Sequence, residues 1–287
     1  MNRFDHFLVT RFNLKVAYAC PETRLDPAWL EHRFELFDSF CYPSVIGQSV
    51  HNFKWLVFFD ADTPDRFKAK VAEYSQWKNF VPEYIMADIE EYNDHMCRAV
   101  LSHSSDAAQF IVTTRLDNDD ALGICFVETL HEILADKHDD EPECINFACG
   151  NVFDRLNCRL YLANTRSNQV ISLIEKPYNL KTVYCVAHPD LCTVAPVREV
   201  MTVPLWLQVI HEKNAATSLY GVRVPVKGLT AFQISRTFSY RSDSLSCLIE
   251  RGRLRTQSIA KALGRRFLPS AVIAILRSTQ SSGQRPR

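Results

Sequence analysis

Glycine is scarce, with 8 residues in 287, and none of them gathers into a loop that could cradle phosphates on backbone amides. The ten cysteines include no Cys-x-x-Cys pair. That spacing argues against finger-type zinc centres and a disulfide framework, and for reduced thiols in a cytosolic protein. No uncharged run approaches the roughly 18 residues of a membrane span, and no N-terminal signal pattern is legible.

Net charge is also lacking, at zero overall, but the balance hides an asymmetry. Residues 241–287 carry ten Lys or Arg against Asp243 and Glu250, a surplus of eight that leaves the body at minus eight. The surplus suits an anionic partner or a solvated tail. Along the tail, Ile259, Leu263, Phe267 and the run from Ala271 to Leu276 oppose Arg255, Lys261, Arg265 and Arg266. A basic helix of this kind lies on an anionic membrane surface or packs on the domain. It lacks the interleaved aromatics of a nucleic-acid stacking platform, so no nucleic acid is expected.

What is present in quantity is apolar: 47% of residues are hydrophobic, ample for one large domain over residues 1–240. The stretch Phe110-Ile-Val-Thr-Thr-Arg-Leu116 reads as a buried strand that stops abruptly in Asp117, Asn118, Asp119 and Asp120. In open α/β sheets ligands bind beyond the carboxyl ends of the strands. Three neighbouring carboxylates repel one another unless a cation sits among them, and a hard divalent ion is the natural one. One of the acids also suits an N-cap for the apparently helical segment that follows, on Leu122, Phe126, Leu130, Ile133 and Leu134. An EF-hand is excluded, because the loop glycine it needs would fall at Leu122.

Upstream, His6 to Phe12 is a strand ending near Thr10 and Arg11, both suited to a ligand. Asp26-Pro27 caps a helix on Leu30, Phe34, Phe37 and Cys41 that Pro43 should end. Phe53 to Phe59 is a second strand, ending in Asp60 and Asp62, with Asp62-Thr63-Pro64 opening the next helix. Phe80 to Met86 is a third strand, which Pro82 marks as an edge or a start. A helix near Glu91 to His103 precedes the acidic strand. Four strand-helix repeats predict a mostly parallel sheet with helices on both faces, over a nucleotide half at about residues 1–140. Residues 141–240 change rhythm: strands at 145–149, 158–162, 170–174 and 182–186, with Gly150-Asn151 as a turn, predict an antiparallel or mixed extension of the same sheet. Leu205 to His211 reads as a short helix that would aim His211 at the acidic loop as a metal ligand.

Several segments together carry a resemblance: Phe7-Leu-Val-Thr-Arg-Phe12, Tyr42-Pro-Ser-Val-Ile-Gly-Gln48, Trp55-Leu-Val-Phe-Phe-Asp60, Thr114-Arg-Leu-Asp-Asn-Asp-Asp120 and Trp206-Leu-Gln-Val-Ile-His211. The chain resembles the GT-A glycosyltransferases and, more closely, the family described as rhamnosyltransferases, from about His6 to Asn214. The resemblance implies a GT-A, Rossmann-like mixed α/β sheet flanked by helices. It implies sugar transfer from a nucleotide-sugar donor to a hydroxyl on a glycan, lipid-linked or other acceptor, in the cytoplasm or at the inner membrane face. It also implies Mn²⁺ or Mg²⁺ on the donor diphosphate, held by Asp117 and Asp119, with Asp120 and His211 as further candidates. Thr10, Arg11, Asp60, Asp62, Arg115 and Asp117 are the candidates for binding the nucleotide sugar. If transfer inverts the sugar, a carboxylate must take the acceptor proton, and Glu175 and Asp190 are the candidates. The competing expectations are a metal-dependent nucleotidyltransferase or phosphodiesterase, which clustered acids also serve, and a non-catalytic sugar-binding scaffold.

Overall fold

The computed structural model describes residues 4–15, 21–86, 88–137, 139–214, 219–235, 243 and 246–249. Most of the basic tail read at 241–287 lies outside the described residues. Among the described residues no helix is long and apolar enough to cross a membrane.

Strands β1 (Phe4–Arg11), β2 (Lys54–Asp60), β3 (Phe80–Ile85) and β4 (Phe110–Arg115) alternate with helices α1 (Pro27–Leu36), α2 (Tyr42–Ile46), α3 (Asp65–Tyr74) and α4 (Tyr92–His103). The four strands lie side by side and parallel, in the order β3-β2-β1-β4. Burial on both faces explains their unbroken apolar runs. Leu8, Trp55, Val57 and Phe59 turn toward Leu30, Phe34, Phe67 and Val71 of α1 and α3, while Phe7, Val9, Leu56 and Phe58 meet Met96 and Val100 of α4. Pro82 sits on the edge strand β3, where its missing N–H leaves no ladder bond unmade.

The entry to α1 follows the sequence. Asp26 accepts the Trp29 N–H at 2.8 Å, and Pro27 takes the first helical position. Its exit does not. The helix passes through a π-turn at Phe37–Cys41, closed by the Tyr42 N–H on the Phe37 carbonyl, and resumes as α2. The shift of register brings Pro43 to the start of α2, where it needs no N–H partner, so it does not end the helix.

The second half corrects several expectations. After β4 comes the short strand β5 (Ala121–Leu122) and then α5 (Phe126–Ala135), whose N-cap is Cys125 with no side-chain bond. None of the acids caps that helix. Nor does Asp62 or Thr63 cap α3, whose N-cap is Pro64. Strands β6 (Glu143–Phe147), β9 (Ser172–Glu175) and β10 (Val197–Val200) do extend the first sheet, and only β9 runs antiparallel in it. However, β7 (Cys149–Asp154), β8 (Arg159–Asn164), β11 (Trp206–Ile210) and β12 (Val222–Val224) join β5 in a separate five-stranded sheet. Gly150 lies within β7 and is not a turn, because the Trp206 indole occupies the space where a Cβ would stand. The segment 182–186 is a loop, tied by the Lys181 and Thr182 amides to the Glu175 carboxylate. The expected helix at 205–211 is β11: Trp206, Leu207, Val209 and Ile210 are buried on both faces between β7 and β5, and a strand buried that way shows no period of two.

Candidate functional site

The acidic loop sits where β4 ends, against the end of β1, and its acids meet three different environments. Asp117 is the open one, its side chain 32% exposed, and both of its oxygens accept from Arg115 at 3.2 and 3.0 Å. Asp119 is buried. Its Oδ2 accepts from Arg33 at 2.9 Å and from His211 Nε2 at 3.0 Å. Burial alone would raise the Asp119 pKa, but the Arg33 guanidinium and the His211 contact outweigh it and hold the carboxyl down at about 2. Asp120 is buried too, and its Oδ1 accepts the Val209 N–H of β11 at 3.0 Å. Burial, with Asp119 and Asp117 adding repulsion, pushes its pKa well above the usual carboxylate range. Asp120 is also a tie between the two sheets, through its bond to the Val209 amide of β11.

Arg33, one helical turn before the π-turn, organises this loop by donating to both Asp119 and the Asn118 side chain. Asn118 in turn donates to the Phe12 carbonyl at the end of β1 at 2.8 Å. The segment after the acids is clamped by α2 and the residues that follow it. Ser44 accepts the Leu122 N–H, while Gln48 donates to the Gly123 carbonyl and accepts the Val127 N–H. The Tyr42 to Gln48 motif thus builds the loop's mount.

Arg11 and Arg115, at the ends of adjacent parallel strands, share one aromatic ring: their guanidinium carbons lie 4.4 and 5.3 Å from the Tyr184 ring centre. Tyr184 comes from the loop at 182–186, which the sequence presented as a strand. Two guanidinium groups over one ring, with only Asp117 ion-paired to them among the described residues, leave a cationic patch beside the acids. The Nε atoms of Arg33 and Arg115 are buried without a hydrogen-bond partner. Orphaned charged donors at a cleft are what an incoming anion would satisfy. For a hard cation, Asp117 and Asp119 supply the oxygen donors such ions take, and the remaining ligands come from water and phosphate. The residues therefore fit Mg²⁺ or Mn²⁺.

Other expected residues lie elsewhere. Thr10 is in the core, its hydroxyl accepting the Trp55 indole N–H at 2.9 Å. Asp60 is at the end of β2 but engaged, by Arg24 at 2.7 Å and by the Asp62 amide at 2.9 Å. The Asp62 side chain is exposed. Glu175 is opposite Ile111, near the start of β4, because β9 runs antiparallel to it. Six residues of strand separate that level from Asp117, about 20 Å. As a base for this cleft Glu175 is excluded, and its carboxylate holds a loop. Asp190 is exposed on the 3₁₀ helix His188–Thr193, with no contact to the acids among the described residues.

The structure brings in a cluster the sequence did not reveal. His211, at the end of β11, presents Nε2 to Asp119 and Nδ1 to His32 of α1, 3.3 Å from the His32 Nε2. Beside them Glu212, with a side chain 46% exposed, places Oε1 3.8 Å from the same His32 nitrogen. The Lys213 amide, which can only donate, faces His211 Nδ1 at 3.2 Å. Nδ1 is thus the unprotonated nitrogen, and Nε2 carries its proton toward Asp119. In this tautomer, without an ion, His211 donates to Asp119 through Nε2 and turns the Nδ1 lone pair toward His32.

The family described as putative rhamnosyl transferase matches residues 5–223, well over half of the sequence. The chain belongs to that family. No curated protein matches this chain. Among solved structures it is similar to residues 1–349 of Staphylococcus aureus TarS, at 13% identity and TM-score 0.41, over 71% of this chain and 60% of that one. It thus spans less than two thirds of that TarS fragment. A putative nucleotide-diphospho-sugar transferase from Desulfovibrio desulfuricans G20 is similar at 12% identity and TM-score 0.34, over 90% and 98% of the two chains.

Proposed function

We propose that this chain is a glycosyltransferase that takes its sugar, rhamnose by the family's name, from a nucleotide-diphosphate donor, and passes it to an acceptor hydroxyl in glycan synthesis. We assign the divalent ion, Mg²⁺ or Mn²⁺, to Asp117 and Asp119. The observation that carries this reading is the pairing at one strand end of an ionised, held carboxylate, Asp119, with the cationic patch of Arg11 and Arg115. When bound, the ion stabilises as a Lewis acid the charge that develops on the departing diphosphate. Arg11 and Arg115 bind that diphosphate, while Arg33 and His211 fix the Asp119 carboxylate in place. Glu212 is the carboxylate that takes the acceptor proton: it is partly exposed and follows His211, which bonds Asp119, whereas Glu175 lies near the other end of β4.

The test is a thermal-shift screen of UDP-, GDP- and dTDP-sugars with and without Mn²⁺, followed by turnover measurements with the donor found. A ligand bound only by the folded state stabilises it by about 2.7 kcal/mol at a hundred times its Kd. One nucleotide should shift the melting temperature in a metal-dependent way. Asp119→Ala should lose both the shift and turnover, while Glu212→Gln should keep the shift and lose at least about a hundredfold in kcat. Transfer retained in Asp119→Ala would sink the metal assignment.

A further inference from the structure

The contacts between α1 and the end of β11 point to a second metal site. We propose that His211 Nδ1, His32 Nε2 and the Glu212 carboxylate bind a zinc-type transition-metal ion, and that this ion inhibits transfer. The inhibitory part rests on the assignment of Glu212 as base; the binding part does not.

The three ligand atoms lie within 4.8 Å of one another. Zinc holds imidazole nitrogens at about 2.0–2.1 Å, which in a tetrahedral site sets two of them about 3.3 Å apart. The His32 and His211 nitrogens are 3.3 Å apart. The Glu212 oxygen, at 3.8 Å, belongs to a partly exposed side chain with room to close. Zinc-binding histidines commonly direct their other ring nitrogen at a carboxylate, which fixes the tautomer. Both imidazoles face acids in this sense: His211 Nε2 donates to Asp119 at 3.0 Å, and His32 Nδ1 faces Glu35 at 3.9 Å. Glu35 is itself held by Arg155.

Without an ion, His32 must present its Nε2 proton to His211 Nδ1, because two bare lone pairs at that distance repel. Binding moves that proton to His32 Nδ1, facing Glu35, and replaces the Lys213 amide on His211 Nδ1. Two histidines, one carboxylate and an open fourth position form a donor set that hard Mg²⁺ does not favour and zinc does. The ion is separate from the one on Asp117 and Asp119, yet it engages the carboxylate needed by the acceptor hydroxyl.

The experiment uses full-length, tag-free protein stripped with chelator and titrated with Zn²⁺ alone by calorimetry, then with Co²⁺ to read the ligand type. Expected are one tight zinc per chain and a cobalt spectrum without thiolate charge-transfer absorption. His32→Gln and Glu212→Gln, each with a wild-type melting curve, should weaken zinc at least about tenfold, and Asp117→Asn should not. Absence of micromolar binding, a thiolate spectrum, or binding unchanged in both variants overturns the site. With saturating Mn²⁺ and donor, zinc should lower transfer by wild type and not by His32→Gln; equal inhibition of both overturns the inhibitory role. The binding arm needs no sugar donor, so its failure leaves the transferase assignment standing.

Discussion

Three carboxylates within four positions are held by three kinds of partner, and their charge states diverge accordingly. Asp119 is kept ionised by Arg33 and His211, whereas Asp120, with no cation and two anionic neighbours, favours its protonated form. A group whose pKa rises on folding contributes stability below its unfolded value of about 3.9 and forfeits it as pH rises toward the folded one. At pH 7 Asp120 is therefore a liability that an amide would remove while still accepting the Val209 N–H. Asp120→Asn should match or exceed wild type by about 1 kcal/mol in urea unfolding at pH 7 with chelator. Asp120→Ala, which orphans that amide, should lose about 1–3 kcal/mol. An Asn variant weaker than wild type by more than about 1 kcal/mol would mean that Asp120 is ionised in the fold. At this scale the acids themselves were legible, since an apolar strand broken by four polar residues can only be a strand end. Arg33, His32 and Glu212 were not, because they come from α1 and from beyond β11, and only folding brings Arg33 to Asp119 and gathers His32 and Glu212 around His211.

Elements were legible where an apolar run was bounded by turn residues and opaque where a short apolar run fitted a strand and a helical turn equally well. The four parallel strands declared themselves by apolar runs bounded by Asp, Asn and Pro. The run Leu205 to Ile210 is equally apolar, but its length fits either a strand or a helical turn, and its partners β5 and β7 lie far away in sequence. Gly150 misled for a related reason. It reads as a turn signal, yet it is a flat spot in β7 on which the Trp206 indole of the neighbouring strand lies, with the indole N–H donating to the Phe147 carbonyl at 2.8 Å. The backbone there has ordinary extended geometry, so the requirement is space and not φ. Gly150→Ala should consequently destabilise by about 1–3 kcal/mol through overpacking, although alanine is the better strand former. Pairing it with Trp206→Leu should recover part of that loss, since neighbours that share a contact are not additive. Chemical denaturation of the two single variants and the double one checks this, and strict additivity would refute the packing account.

In the whole molecule the candidate site lies on the seam between the two sheets: Asp117 to Asp120 follow β4 of the first, and His211 and Glu212 follow β11 of the second. That arrangement was not legible, because residues 141–240 were expected to prolong one sheet, and nothing local announces that Ala148 separates β6 in one from β7 in the other. A second buried polar chain stitches the first sheet to α5. His6 Nδ1 lies 3.0 Å from His131 Nε2, His6 Nε2 lies 2.9 Å from Thr114 Oγ1, and Thr114 Oγ1 lies 2.6 Å from Ser172 Oγ. Burial lowers the His131 pKa to about 4, and burial with repulsion from His131 lowers that of His6 well below its usual value. The unfolded chain, with histidines near 6.5, takes up these protons first. The stability contributed by the neutral pair is thus complete above about pH 6.5 and is lost as pH falls toward 4, before Asp119 begins to protonate. His32 and His188, lowered chiefly by burial, push in the same direction. These histidines should therefore pull the melting temperature down between about pH 7 and pH 4.5, against the opposite contribution of Asp120 and Glu175, whose pKa values burial raises. His131→Gln should flatten that decline by on the order of 1–2 kcal/mol, the full shift being discounted because His131 is not wholly enclosed. Differential scanning calorimetry across the range reads the outcome directly, and a variant with the same slope as wild type would place the acid sensitivity outside this histidine pair.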